Sequence, residues 1–408
     1  MFRTKVKNRI INLFILLPLF WAFSGLFYSS NGKKQVGIFM LISILLILYK
    51  YGKSTLANNI RENKVLILLF LSLLYSLFLF VTYDFGSSRF RALSFSFLFL
   101  IFLPKEILTK KYFYYLLLFG ALFVISYATW FTVILERGRD WNFNVIPFST
   151  FTAVICIFSV FLLFYENRNK YKIILILSFG LSIASLLMGQ SRGVWLAFIV
   201  TSLLCFLLLV INNKTNKKLL LVLPMLTVIV TLFTCQKIEQ RILQTTNEFS
   251  QIEKKDFSSS IGLRMKMWTA AIELSFLSPI LGLQDDHIIE FNKLYKNNDN
   301  PNMVAMKYYA PPHYHMEILN TLVKSGAVGV FLLLLPFIYI FVYFWRQRNI
   351  GASLLLLLSS IYLISGLSDI PLSHGSHIVF FWLMLYYLTN NPEFSEKIYP
   401  KNHSSDPN

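Results

Sequence analysis

The sequence predicts an all-α polytopic membrane protein, with about twelve transmembrane helices and one large outer loop between the ninth and tenth. Three observations carry that expectation. Of the 408 residues, 56% are apolar and only 14% charged, against about 25% charged in soluble domains. The apolar residues arrive in separate runs long enough to cross a hydrocarbon core of about 30 Å. Polar residues gather in one long internal stretch, 235–314.

In order, the runs are Ile10–Tyr28, Val36–Tyr49, Val65–Thr82, Ala92–Leu103, Tyr112–Ile134 and Val145–Phe164. They continue as Ile173–Leu187, Gly193–Ile211, Leu219–Thr234, Met316–Trp345, Gly351–Leu367 and Ile378–Leu388. The first follows the basic start MFRTKVKNR with no small-residue cleavage site after it, so it reads as an uncleaved span. Cys156, Cys205 and Cys235 lie far apart with no metal or redox spacing, and the first two read as inert helix residues. The expected organisation is a single membrane domain. Helices one to nine occupy 1–234, the loop 235–314, helices ten to twelve 315–390, and a short polar tail 391–408.

Orientation follows from lysine and arginine in the short connections. Counting from the N-terminus, the odd-numbered connections carry 21 of the 38 basic residues and the even short ones 7. Both termini are therefore expected on the cytoplasmic side, and the long loop on the far side, the periplasm of a bacterial inner membrane. Much of the net charge of +18 is then a topology signal and a contact with anionic membrane lipids. It does not call for nucleic acid.

The loop has order of its own. Ser258, Ser259 and Ser260 offer N-cap hydroxyls. Ile261, Met265, Trp268 and Ile272 then recur at helical spacing up to Ser278-Pro279. This predicts an amphipathic helix, carrying Arg264 and Lys266, on the outer membrane face.

The loop leads into PPHYHMEILNTLVKSGAVGV, Pro311 to Val330. Two prolines announce a helix start. On such a helix His315, Leu319, Leu322, Gly326 and Gly329 share one stripe, with His313 pointing almost the opposite way. A titratable imidazole at a membrane-helix mouth suits proton transfer; as a cap or a buried donor it needs no function. Arg192, in GQSRGVW, is either an interfacial anchor or an anion site, where a helix start and a guanidinium fork act together. Arg264, in SIGLRMKMW, either faces water and lipid phosphate or joins Arg192 at the same depth. Asp369, in GLSDIPLSHGSH with His374 and His377 nearby, is a solvated turn residue, or pairs with an arginine, or orients His315. Arg89 and Arg91 lie on the same outer side. His313 with Asp285, Asp286 and His287 also raises a metal reading, although no H-E-x-x-H spacing fixes its geometry.

No Walker loop, Rossmann glycine pattern, G-x-S-x-G or carboxylate-rich metal site is present in the sequence, so the energy for any reaction must arrive in the substrate. The topology, the Q-S-R-G element and the H-x10-G-x-x-G pattern from His315 to Gly329 together resemble the O-antigen ligases of the O-antigen ligase/polymerase superfamily. Met316 stands where that family carries Asn, Ser or Gln, and its two threonines after the second glycine are absent. The resemblance implies a GT-C-like membrane glycosyltransferase, inverting, metal-independent and free of cofactors. Polysaccharide on undecaprenyl diphosphate would pass to a sugar hydroxyl of lipid A–core, with other O-antigen assembly proteins as partners. By position it gives Arg192 and Arg264 the donor diphosphate and His315 the acceptor proton. Asp369 matches a recurring acid, and Arg91 and His313 are expected to bind substrate beside it. An O-antigen polymerase, a protein oligosaccharyltransferase and a lipid-linked sugar transporter are the competing expectations. A transport path would need polar groups near mid-membrane, whereas the ionisable candidates sit at the boundary.

Overall fold

The computed structural model describes residues 10–27, 32–52, 54–212, 239–240, 242–295 and 311–395. The ninth expected span, Leu219–Thr234, lies outside the described residues. Within them the protein is an all-α polytopic membrane protein. After a helical turn at 10–15, the helices are α1 (Leu17–Ala22), α2 (Gly32–Tyr51), α3 (Ser54–Glu62), α4 (Lys64–Tyr83) and α5 (Ser87–Phe102). There follow α6 (Lys110–Thr129), α7 (Val145–Tyr165), α8 (Asn169–Gly189) and α9 (Arg192–Ile211). Residues 242–253 form α10. The rest are α11 (Ser260–Ser275), α12 (His287–Tyr295), α13 (Glu317–Gln347), α14 (Ile350–Ser365) and α15 (Gly375–Asn390).

Seven of these are long and apolar enough to cross a membrane: α2, α4, α6 with its π-helical extension to Ile134, α7, α8, α9 and α13. Leu17–Phe27 and α14 are shorter apolar segments. The sequence expects spans at α5 and α15 too, but each has 16 residues, below the roughly 20 that a bilayer core asks for. Most of α15 is shielded by the protein instead, buried from Gly375 to Leu388.

Polar side chains set several helix starts. Asn63 accepts from Val65 N, Thr109 from Tyr112 N, Asn144 from Ile146 N and Asn349 from Ala352 N, each satisfying one of the free N–H groups that open a helix. α7 is apolar all round and accordingly central, buried from Pro147 to Ser159 without interruption. Phe23, Phe27, Phe151 and Phe380 interlock around it, with Phe27 stacked on Phe151 at 4.2 Å between centroids.

A second, smaller core joins the loop to the bundle. Ala270, Ala271 and Leu274 of α11 pack with Phe291 and Tyr295 of α12, and with Tyr314 and Val323. The expected apolar stripe is corrected here. Met265 and Ile272 are exposed, because the small residues Ala270 and Ala271 give α11 a flatter face for close approach to its neighbours. Ser259 is the serine that caps α11, accepting from Gly262 N.

α13 corrects a second expectation. It begins at Glu317, not at the prolines, and it is broken at Gly326, whose φ of 60° and ψ of −169° are not helical. The segment after Pro279 lies in the break: Ala327 N donates to Pro279 O and Leu283 N donates to Val323 O. A side chain at Gly326 would collide with the Ile280 carbonyl. The stripe from His315 through Gly326 therefore does not exist as one helical face.

Candidate functional site

Residues 311–316 form a bent, non-helical segment. Tyr314 is wholly buried in the second core and its hydroxyl meets His287 Nδ1 at 2.9 Å. His313 and His315, on either side of it in sequence, are both half-buried and pack against each other. Their ring centroids are 4.2 Å apart, so the opposed directions expected of a helix are overturned. His315 has a φ of 48°, a left-handed conformation uncommon among non-glycine residues, though histidine is one of those that adopt it more often. Lys324 Nζ donates to Pro312 O at 2.5 Å and Glu317 N donates to Gly366 O at 2.7 Å. The turn is thus clamped at both ends.

Asp369 faces His315 from the segment after α14. The separation from His315 Nδ1 to Asp369 Oδ1 is 3.5 Å, an ion-pair distance rather than a good hydrogen bond. Asp369 is 1% exposed, and neither of its oxygens nor His315 Nδ1 has a hydrogen-bond partner among the described residues. Burial works against the charge of Asp369, yet His315, His374 and His313 around it hold the carboxyl below the usual carboxylate range. Burial, reinforced by His315, lowers His313 to about 4, so at neutral pH it is an uncharged imidazole.

The two candidate arginines come from other segments. Arg192 opens α9 beside the Asp369 segment, where Gly193 lets Ser368 approach so closely that a Cβ would overlap its hydroxyl. Its Nη2 pairs with Glu248 of α10 at 2.9 Å and its Nη1 donates to Thr245. Glu248 Oε2 also accepts from Ile261 N in the first turn of α11. One carboxylate thereby ties α9, α10 and α11 together and takes part of Arg192's charge. Arg264, a turn further along α11, has no ion pair among the described residues. Burial lowers its pKa, with Asp369 as the main counterweight and Arg192 acting against it. Arg192, Arg264, His315 and Asp369 therefore stand in one electrostatic neighbourhood.

Arg89 and Arg91 lie inside α5, which starts five residues before the expected span. Two residues on a helix differ by about 200°, so they face apart. Arg91 is exposed, on the side of Lys33, while Arg89 lies within electrostatic reach of Glu317. Arg89 also lines a small cavity of about 30 Å³ between α4, α5, α13 and α15. The metal set spanning Asp285, Asp286 and His287 is not formed: both aspartates are exposed and His287 is buried against Tyr314. The ligand-type group that the described residues do bring together is His313, His315 and Asp369. His377 is buried in the main core, between Tyr362 and Pro147.

Glu317 was not singled out in the sequence. It is buried, its oxygens accepting from Leu372 N and Ser373 Oγ at 2.7 Å each, and so it fixes the His315 turn against the segment that carries Asp369. The available signal was a carboxylate at the head of a long apolar run. Nothing in the sequence marks Glu248.

Among known proteins, residues 177–334 match the family described as O-antigen ligase, a stretch that includes Arg192, Arg264 and His315 but stops short of Asp369. The chain is also 26% identical over 257 residues to an uncharacterized protein of Haemophilus influenzae, covering 60% of this chain and 62% of that one. It thus spans less than two thirds of that relative's length. The chain is thus similar to the O-antigen ligase family over residues 177–334, about two-fifths of its length.

Proposed function

We propose that the protein is an O-antigen ligase. It transfers polysaccharide from undecaprenyl diphosphate to a sugar hydroxyl of lipid A–core, on the periplasmic face of a bacterial inner membrane. The observation that carries this reading is the pairing of His315 with a buried, otherwise unpartnered Asp369, with Arg264 in electrostatic reach.

In this reading the acceptor oxygen attacks the anomeric carbon while the bond from that carbon to the diphosphate oxygen breaks, with inversion. The acceptor proton passes to His315, and Asp369 stabilises the imidazolium that forms. General-base help of this kind supplies about 10²–10⁴-fold. Negative charge grows on the departing diphosphate, where Arg264 and the free part of the Arg192 guanidinium oppose it. No metal takes part in the step.

The superfamily also contains polymerases, whose donor chemistry is the same and whose acceptor differs. Gel analysis of lipopolysaccharide from a deletion strain separates the two. Loss of a ligase leaves uncapped core with lipid-linked polymer accumulating. Single capped units would instead assign the protein to polymerisation, and normal lipopolysaccharide would remove both readings.

A further inference from the structure

We propose that His313, His315 and Asp369 form a binding site for a zinc-like divalent cation, and that an ion there withdraws His315 from proton transfer. The first half stands on geometry alone; the second rests on the ligase reading.

The three residues offer ligand atoms that all lie within 4.8 Å of one another. Two ligands on one tetrahedral zinc, with bonds near 2.1 Å, are about 3.4 Å apart. His315 Nδ1 and Asp369 Oδ1 already stand at 3.5 Å, so closing the set falls mainly to the His313 ring. That ring is half-buried and packs 4.2 Å from the His315 ring. Two imidazoles with one carboxylate and an open fourth position is a donor set suited to zinc.

The second observation is the state of the polar atoms. Both Asp369 oxygens are buried without a hydrogen-bond partner, as is His315 Nδ1. Burying such atoms unpaired costs free energy that a bound cation would recover. Arg264, within reach of Asp369, opposes a second positive charge, which makes binding reversible rather than permanent. Catalysis and metal binding then compete for one imidazole and one carboxylate. The site is a brake on the reaction.

The test uses the purified full chain in detergent, with Co²⁺ as a spectroscopic stand-in for zinc. One equivalent of Co²⁺ should give a tetrahedral ligand-field band that Zn²⁺ abolishes. His313→Gln and, separately, Asp369→Asn should each weaken that binding by roughly tenfold or more, with melting temperatures recorded to show that both variants fold. A wild-type protein without the band, or folded variants that bind as wild type does, overturns the site. In a reconstituted transfer assay Zn²⁺ should inhibit and a chelator restore the rate. Transfer that persists at saturating metal overturns the second half. Absence of transfer under every condition counts against the ligase reading and leaves the Co²⁺ result to decide the site.

Discussion

Two histidines in this protein, one buried and one part-exposed, have opposite hydrogen-bond states. His377 lies in the main core with both ring nitrogens engaged, Nε2 at 2.9 Å from the Pro147 carbonyl and Nδ1 at 2.7 Å from Tyr362 Oη. A carbonyl only accepts, so Nε2 donates and Nδ1 accepts, and the ring is fixed as one neutral tautomer. His315 is part-exposed and its Nδ1 faces a carboxylate that has no other partner. Saturation makes the first a structural element, because every proton position is already spoken for. Incompleteness leaves the second able to take a proton and hand it on.

That contrast can be broken most directly by exchanging the two histidines' fates. His315→Ala should lower transfer in the reconstituted assay by about 10²–10⁴-fold with little change in melting temperature. His377→Leu should do the reverse. It strands the Pro147 carbonyl and the Tyr362 hydroxyl at about 1–3 kcal/mol each, so the melting temperature drops while folded molecules keep their turnover. Equal loss of stability in both variants would show that the distinction drawn from hydrogen-bond saturation does not hold.

The next largest effect should come from the two glycines after His315, which look equivalent in the G-x-x-G pattern. Gly326 adopts a backbone conformation open essentially to glycine alone and faces the Ile280 carbonyl. Gly329 has an ordinary backbone conformation, and an added Cβ there would crowd a side-chain atom, the Ser325 Cβ, rather than a backbone carbonyl. Gly326→Ala should therefore cost about 1–3 kcal/mol in backbone strain, and should expel the 279–283 segment from the break in α13. Gly329→Ala should cost less. Limited proteolysis of the 276–283 region reads the displacement; equal susceptibility in the two variants would contradict it.

These glycines also show where the sequence was legible. Hydropathy found α4, α7, α9 and α14 to within a few residues, since a bilayer demands long apolar runs and a helix start needs a polar cap such as Asn63 or Asn349. Periodicity failed at His315–Gly329 because it assumes an unbroken helix. The break depends on a segment more than forty residues earlier, which no local pattern records. The same limit hid Glu248, whose significance is a partner 56 positions away. Arg192, Arg264, His315 and Asp369 could be named from their settings at helix ends. Their mutual distances could not, and neither could the exposure of Arg91, which depends on α5 beginning at Ser87.

The smallest effect tests a third histidine, His287, which belongs with His377 in being hydrogen-bonded but lies in the second core beneath the His315 turn. Burial, helped by Lys324, lowers it to about 3, against an ordinary value of about 6.5. The folded state therefore binds fewer protons than the unfolded one between those two values. By linkage, stability is full above about pH 6.5 and declines as the pH falls toward 3. At about 1.4 kcal/mol per pH unit, moving from pH 6.5 to 5 should remove about 2 kcal/mol. His313 and His374 are shifted in the same direction, so the useful quantity is a difference. His287→Gln retains a group able to bond Tyr314 Oη but does not titrate. Hydrogen exchange in α12 should accelerate on acidification in the wild type and change less in this variant. Identical pH dependence would mean that the second core does not hold His287 neutral, and that the turn carrying His313 and His315 is anchored by Tyr314 packing, the Lys324–Pro312 bond and the Glu317 bonds without its help.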